Sequence, residues 1–249
     1  MTGYACDETE DAMPLPIHLA HRLAYQLELF RKNEGRLYLK PDGKTQVTCY
    51  YNDEGFPVSV ETILISTSHI SGLNQEMLKE TLWEKVVKPV IPVELIDEDT
   101  KFLVNPTGQF VICGPNGDSG LTGRKIVVDN YGPNIPVGGG AFSSKDPSKM
   151  DRTGAYMARY IAKNLIKNKC GREVYVWLAY AIGVPEPVSV DVMIDGKHSL
   201  NVSNEIKRQY DLTPNGIINF LNLKNIKYAP ICNYGHMGLA NGLSRPWEA

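Results

Sequence analysis

Between Pro16 and Lys32 the apolar residues Leu19, Leu23, Leu27 and Phe30 recur at spacings of four, four and three. That is one face of a 3.6-residue period and predicts an amphipathic helix. The pattern then changes. Thr45–Tyr51 and Val58–Ile65 are rich in β-branched and aromatic residues, with the turn-forming stretch Asn52–Gly55 between them, which predicts a hairpin. A second helix is expected over Leu73–Lys88, ended by Pro89, and short strands over Phe102–Val104 and Phe110–Cys113, around the Asn-Pro-Thr-Gly turn at 105–108.

Residues 114–140 are loop-rich, interrupted by the strand-like run Lys125-Ile126-Val127-Val128. A strongly signalled helix follows. Asp146 is placed to cap it, Pro147 suits its first turn, and Met150, Met157, Ile161 and Leu165 form an inward stripe that runs to the Gly171 stop. Strands over Glu173–Gly183 and Pro187–Met193, helices over Ser203–Tyr210 and Pro214–Leu221, and a glycine-rich tail complete the chain. There is no repeat, and the mixture of strands and helices predicts α+β or α/β architecture.

Composition narrows the function classes. The chain has 249 residues, 26 basic against 28 acidic side chains and 43% hydrophobic residues, enough for one large domain or two ordinary ones. A net charge of −2 argues against broad nucleic-acid binding. No run reaches the roughly 20 apolar residues of a membrane helix. Met1–Pro14 carries four acidic and no basic side chains, unlike a secretory or transit peptide. The five cysteines are far apart and form no C-x-x-C pair, so the expectation is reduced, mostly buried thiols in a cytoplasmic protein.

Three segments concentrate small residues with charge: Pro41–Lys44, Gly114–Lys125 and Gly138–Arg152. In the third, Gly138-Gly139-Gly140 lets backbone approach a ligand. Lys145 precedes a helix N-terminus that favours anions, Lys149 lies one turn on, and Asp151 adds a carboxylate suited to Mg²⁺ among phosphate oxygens. The segment is neither a Walker A loop nor a Rossmann fingerprint. Glycine-rich loops with lysines are more often solvated turns, so composition leaves both readings open.

The stretches GPNGDSGLTGRKIVVDNYG and GGGAFSSKDPSKMDR resemble the two signatures of the methionine adenosyltransferase (S-adenosylmethionine synthetase) family. Collinear matches run the length of the chain: GYACDETEDAMPLPIHLAHRL, PDGKTQVT, ISTSH, KFLVNPTGQFVI, YAIGVPEP, YGHMG and a final PWE. The resemblance implies an α+β fold of repeated sheet-and-helix domains. On that basis 1–113 is mostly the family's first domain, 114–152 a nucleotide and triphosphate segment left from the central domain, and 153–249 the C-terminal domain.

The implied reaction joins ATP and methionine: sulfur attacks the ribose C5′, triphosphate leaves, and the same site splits it into pyrophosphate and phosphate. A leaving group of such charge needs fixed cations in a water-poor site. The resemblance places Lys44, Arg124, Lys125 and Lys145 there as the catalytic cations. It puts Asp42, Gly43 and the Ala141 backbone at the nucleotide, Phe110 on adenine with Ile182 on the other side, Asp118 and Lys149 at methionine with Asp118 also touching ATP, and Asp151 on a divalent cation. Read without the family, Phe110 and Ile182 would be ordinary core residues.

Mg²⁺ and K⁺ are the implied cofactors. Departures from the family pattern are Ser144 in place of a glycine that φ > 0 would suit, Gln109 in place of a basic residue, Asn130 and the 133–137 stretch. The family's HPDK segment, with its catalytic histidine and metal carboxylate, does not occur in these residues, nor do its K⁺-binding acid, gating loop and G-D-Q-G turn. The expectation is therefore a subunit of a split enzyme, in a homo- or hetero-oligomer, with a small partner chain supplying the N-terminal part. The competing expectation is a catalytically incomplete paralogue that binds nucleotide or a full-length homologue and regulates it.

Overall fold

The computed structural model describes residues 1–249. In chain order the elements are β1 (Thr2–Cys6), α1 (Leu15–Lys32), β2 (Leu39–Tyr51), β3 (Pro57–His69), α2 (Gln75–Leu82), β4 (Lys101–Val104), α3 (Ile126–Asp129), α4 (Met150–Lys167), β5 (Glu173–Ala179), β6 (Ser189–Ile194), β7 (Lys197–His198), α5 (Leu200–Gln209), α6 (Pro214–Phe220) and α7 (Tyr228–Ile231). They form two units, residues 15–121 and residues 1–14 with 122–249, each with its own sheet. The fold class is α+β. The stretch 114–152 divides between the units, and residues 1–14 join 122–249.

In the unit of residues 15–121 the helical stripe does what its period predicts. Leu19, Leu23, Leu27 and Phe30 of α1 are buried with Val47, Val60, Ile63 and Ile65 of the sheet. Leu78 and Leu82 of α2 join them, as do Val86 and Val87. The expected Leu73–Lys88 helix is shorter: α2 starts after Asn74, whose side chain accepts from the Met77 N–H, and after Leu82 it widens into a π-turn, Trp83–Val87. The sheet order is β2-β3-β4, with β2 antiparallel and β4 parallel to β3. Asn52 closes the hairpin turn by accepting from the N–H groups of Glu54 and Phe56.

Two expected strands are absent. Phe110–Cys113 joins no sheet, and Lys125–Val128 gives way to the single turn α3, closed by the Asn130 side-chain amide donating to the Ile126 carbonyl (2.7 Å). A four-residue apolar run does not by itself distinguish the two periods.

The unit of residues 1–14 and 122–249 carries an antiparallel sheet in the order β1-β5-β6-β7. β1 is not apparent in the local pattern; it exists because Thr2–Cys6 pairs with Glu173–Trp177 far along the chain. Against this sheet lies α4, buried over Arg152–Arg159 and Ile161–Lys163. Its start is Lys149/Met150, later than Asp146 implied, because the Asp146 carboxylate closes its own turn on the Ser148 N–H (2.7 Å). The cysteines are free, as expected, but only Cys6 is buried and Cys170 is exposed.

A charged network locks α4. Both Glu248 carboxylate oxygens accept from Arg159 at 2.8 Å, and Lys163 adds a 3.0 Å contact. The remaining Arg159 donors reach the carbonyls of Tyr4, Asp11 and Ala12. Burial alone would raise the Glu248 carboxyl, but the Arg159 and Lys163 charges outweigh it and hold it below the usual carboxylate value. Glu248→Gln leaves the guanidinium buried against a neutral amide, so it is expected to lower the unfolding free energy by about 3–5 kcal/mol. Urea unfolding followed by circular dichroism measures this; a loss below about 1 kcal/mol would mean the network contributes little.

Candidate functional site

The Pro41–Lys44 segment owes its geometry to a break in the β2–β3 ladder. Leu39 pairs with His69 and Gly43 with Thr67, so Lys40, Pro41 and Asp42 together oppose Ser68. Proline has no N–H for the ladder, and Ser68 bridges the gap with its side chain. The Asp42 N–H donates to Ser68 Oγ (3.0 Å), and that hydroxyl donates to the Asp42 carbonyl (3.1 Å). Freed from the ladder, Lys40 donates to the Val111 carbonyl (2.8 Å), and the Asp42 carboxylate accepts from the Gly114 N–H (2.8 Å). These contacts, with His69 at Phe110, hold the 110–114 stretch without strand pairing. Phe110 is half-buried; Gly43, Lys44 and Asp118 are exposed.

In the other unit the glycine-rich stretch is anchored at Phe142 and Ser143. Arg152 donates to the Phe142 carbonyl (2.8 Å), and Ser143 Oγ lies 3.1 Å from Nε2 of buried His236. His236 Nδ1 in turn meets the Tyr156 hydroxyl at 2.6 Å, and the Tyr156 ring stacks on Trp247. Two close approaches define the loop further. A Cβ on Gly123 would fall 2.7 Å from the Ala141 Cβ, so the exposed Arg124-Lys125 pair leaves the point where the two signature segments touch. A Cβ on Gly140 would collide with the Asp151 carboxylate, so α4 begins directly under the glycines. Ser144 takes φ +72°, the left-handed conformation the family's glycine would suit.

Lys145 leaves this anchored loop and pairs with Asp151 at 2.5 Å. Both line a cleft of about 770 Å³ together with Lys149, Tyr180, Ala181, Ile182 and Val184. The far wall exists because β5 stops at Ala179, earlier than the expected Gly183, and Tyr180–Pro185 turns away from the sheet. Ile182 is fully exposed there and is not a core residue. The cleft thus offers two ammonium groups, one carboxylate and an apolar loop, a chemistry suited to an anion attached to an apolar or aromatic body. No group of three or more His, Cys, Asp or Glu side chains converges anywhere in the chain, so there is no protein-only cage for a metal. Asp151 fits Mg²⁺ only as one ligand among phosphate oxygens.

Family models cover nearly the whole chain. A family model described as the S-adenosylmethionine synthetase central domain matches residues 1–110, and one described as the C-terminal domain matches residues 112–249. The chain belongs to the S-adenosylmethionine synthetase family. Of the positions that the family resemblance marked, the unit of residues 15–121 holds Asp42, Gly43, Lys44, Phe110 and Asp118, and the other unit holds Arg124, Lys125, Ala141, Lys145, Lys149, Asp151 and Ile182. Lys145, Lys149, Asp151 and Ile182 share the cleft. Ser68, His69, Arg152 and His236 are not among the positions that the family resemblance marks. Ser68, His69 and His236 lay within the ISTSH and YGHMG matches and Arg152 at the end of the second signature, but only contacts reveal what they do. No helix is long and apolar enough to cross a membrane.

Two measurements test this geometry. Burial pushes the His236 imidazole from its ordinary 6.5 down to about 3, with the Arg152 and Arg245 guanidiniums adding to the effect. The unfolded chain takes up a proton below 6.5 and the folded chain does not, so folding stability falls as pH drops through that range. Asp129, raised by burial to about 6, works in the opposite direction, and comparison with a His236→Gln variant cancels it. The protein is expected to lose stability relative to that variant by up to about 1.4 kcal/mol per pH unit. A difference independent of pH would contradict the buried, neutral imidazole. Secondly, Ser144→Gly relieves a left-handed backbone and is expected to stabilise by about 1 kcal/mol, read as a higher thermal midpoint.

Proposed function

We propose that this chain is a subunit of a methionine adenosyltransferase that forms S-adenosylmethionine from ATP and methionine, releasing pyrophosphate and phosphate. A small partner chain supplies the N-terminal part of the enzyme. The observation that supports the reading best is the meeting of Lys145, Lys149 and Asp151 from one signature with Ile182 from a distant loop in a single cleft of about 770 Å³. That volume lies in the range of small-molecule sites.

In this reading Lys145 neutralises the triphosphate as the C–O bond at C5′ breaks, and Arg124 and Lys125 act with it. The family resemblance adds Lys44 to these cations. Cations held in place by protein stabilise charge that develops in the transition state without the reorganisation water would need. Asp42, Gly43 and the Ala141 backbone contact the nucleotide, Phe110 and Ile182 contact adenine, and Asp118 and Lys149 contact methionine, with Asp118 also at the nucleotide. Asp151 pairs with Lys145 in the structure and would be the residue to hold Mg²⁺. Mg²⁺ would supply charge neutralisation beyond that of the lysines. K⁺ would be held by groups outside these residues. The sulfur of methionine is nucleophilic enough to need no general base.

Native mass spectrometry of the protein from its own host, with an S-adenosylmethionine assay on the same sample, tests the split enzyme. The expected result is a stoichiometric small partner and an activity lost when that partner is removed. A partner-free, inactive homo-oligomer would favour the regulatory paralogue. In the active complex Lys145→Met is expected to lower kcat by about 10²–10³-fold with little change in thermal midpoint. A change confined to KM would remove Lys145 from the leaving-group role.

A further inference from the structure

We infer that His69 is a positioning residue that sets the orientation of the Phe110 ring, and through it the selectivity of the site for an adenine-bearing ligand. The inference rests on the reading that Phe110 carries adenine. It starts from an irregularity: Phe110 has no strand around it, yet its backbone is held at both polar groups by one residue. The His69 N–H donates to the Phe110 carbonyl (2.9 Å), and the Phe110 N–H donates to His69 Nε2 (3.1 Å).

The ring's other nitrogen explains why Nε2 is free to accept. His69 Nδ1 lies 2.7 Å from the Ile70 carbonyl, which has only lone pairs to offer, so Nδ1 carries the proton and Nε2 does not. Gln75 donates to the same Nε2 from 3.2 Å. The imidazole is fully buried, so this arrangement is shielded from water. Two residues earlier on the same strand, Thr67 holds the other end of the loop: its N–H donates to Asn105 Oδ1 (2.9 Å), and Asn105 Nδ2 donates back to the Thr67 carbonyl (3.1 Å). The last residues of β3 therefore clamp residues 105 and 110, and the four-residue loop between them leaves the backbone that carries the half-buried Phe110 ring fixed at both polar groups. Stacking depends on the angle of the ring, whereas binding of phosphates does not.

Isothermal titration of the purified protein, in whatever complex it is isolated, with ATP and with inorganic tripolyphosphate separates the roles. His69→Asn keeps a donor for the Ile70 carbonyl but is too short to accept from Phe110; His69→Gln reaches Phe110 with its amide oxygen. His69→Asn is expected to weaken ATP about ten-fold while tripolyphosphate stays within about two-fold, and His69→Gln to restore ATP to within about three-fold. In a Phe110→Ala background His69→Asn is expected to have no further effect on ATP. Equal losses for ATP and tripolyphosphate, or unchanged ATP affinity in His69→Asn, would overturn the positioning role while leaving the proposed function standing. Failure of the unaltered protein to bind ATP at all would overturn both.

Discussion

A guanidinium and a carboxylate withdrawn from water hold the unit of residues 1–14 and 122–249 in register. Removing either ion from solvent costs several kcal/mol, and the cost is offset only when every donor and acceptor finds a partner. Here the partners are found. Glu248 takes Arg159 on both oxygens, Lys163 on one and the Gly238 N–H on the other, while Arg159 also satisfies carbonyls of Tyr4, Asp11 and Ala12. The contributing residues come from the start, the middle and the end of the chain. Because Arg159 sits on α4, the same helix that begins with Asp151 beneath the glycine-rich loop is tied to this network.

Elsewhere the marked residues stand where regular structure stops. Lys40–Asp42 bulge out of β2, β5 ends short to release Ile182, and Ser144 adopts a left-handed backbone. Strand ladders commit backbone groups to each other and leave side chains at a fixed alternation. A bulge or an early strand end breaks that commitment, and the released side chains can turn to a neighbour or a cleft. Polar side chains secure two of these stretches: Ser68 beside Asp42, and Arg152 with His236 beneath Phe142 and Ser143.

The cleft charges are poised rather than locked. Lys145 and Asp151 form a pair that is substantially exposed, and such pairs contribute little to stability. On the proposed reading, an incoming polyanion would compete for Lys145 at small cost and leave Asp151 for a cation. The buried Arg159–Glu248 pair, with side chains at 0% and 1% exposure, has no such freedom. A cation–carboxylate pair is structural in one place and partly exposed in the other, and burial makes the difference.

The sequence by itself determined the helix stripe Leu19–Phe30, the hairpin around Asn52–Gly55 and the family, because these depend on local periodicity, turn chemistry and motifs that contiguous residues carry. It also indicated the strained position at Ser144, since a family glycine there implied a left-handed backbone. Tertiary structure alone decided the rest. β1 forms only because Glu173–Trp177 offers an edge, and the apolar runs at 110–113 and 126–128 pair with no strand. Ile182 lines a cleft rather than a core, and His69 reaches across 41 residues to hold Phe110. Such contacts join groups far apart in the chain, and local pattern has no access to which partner will arrive.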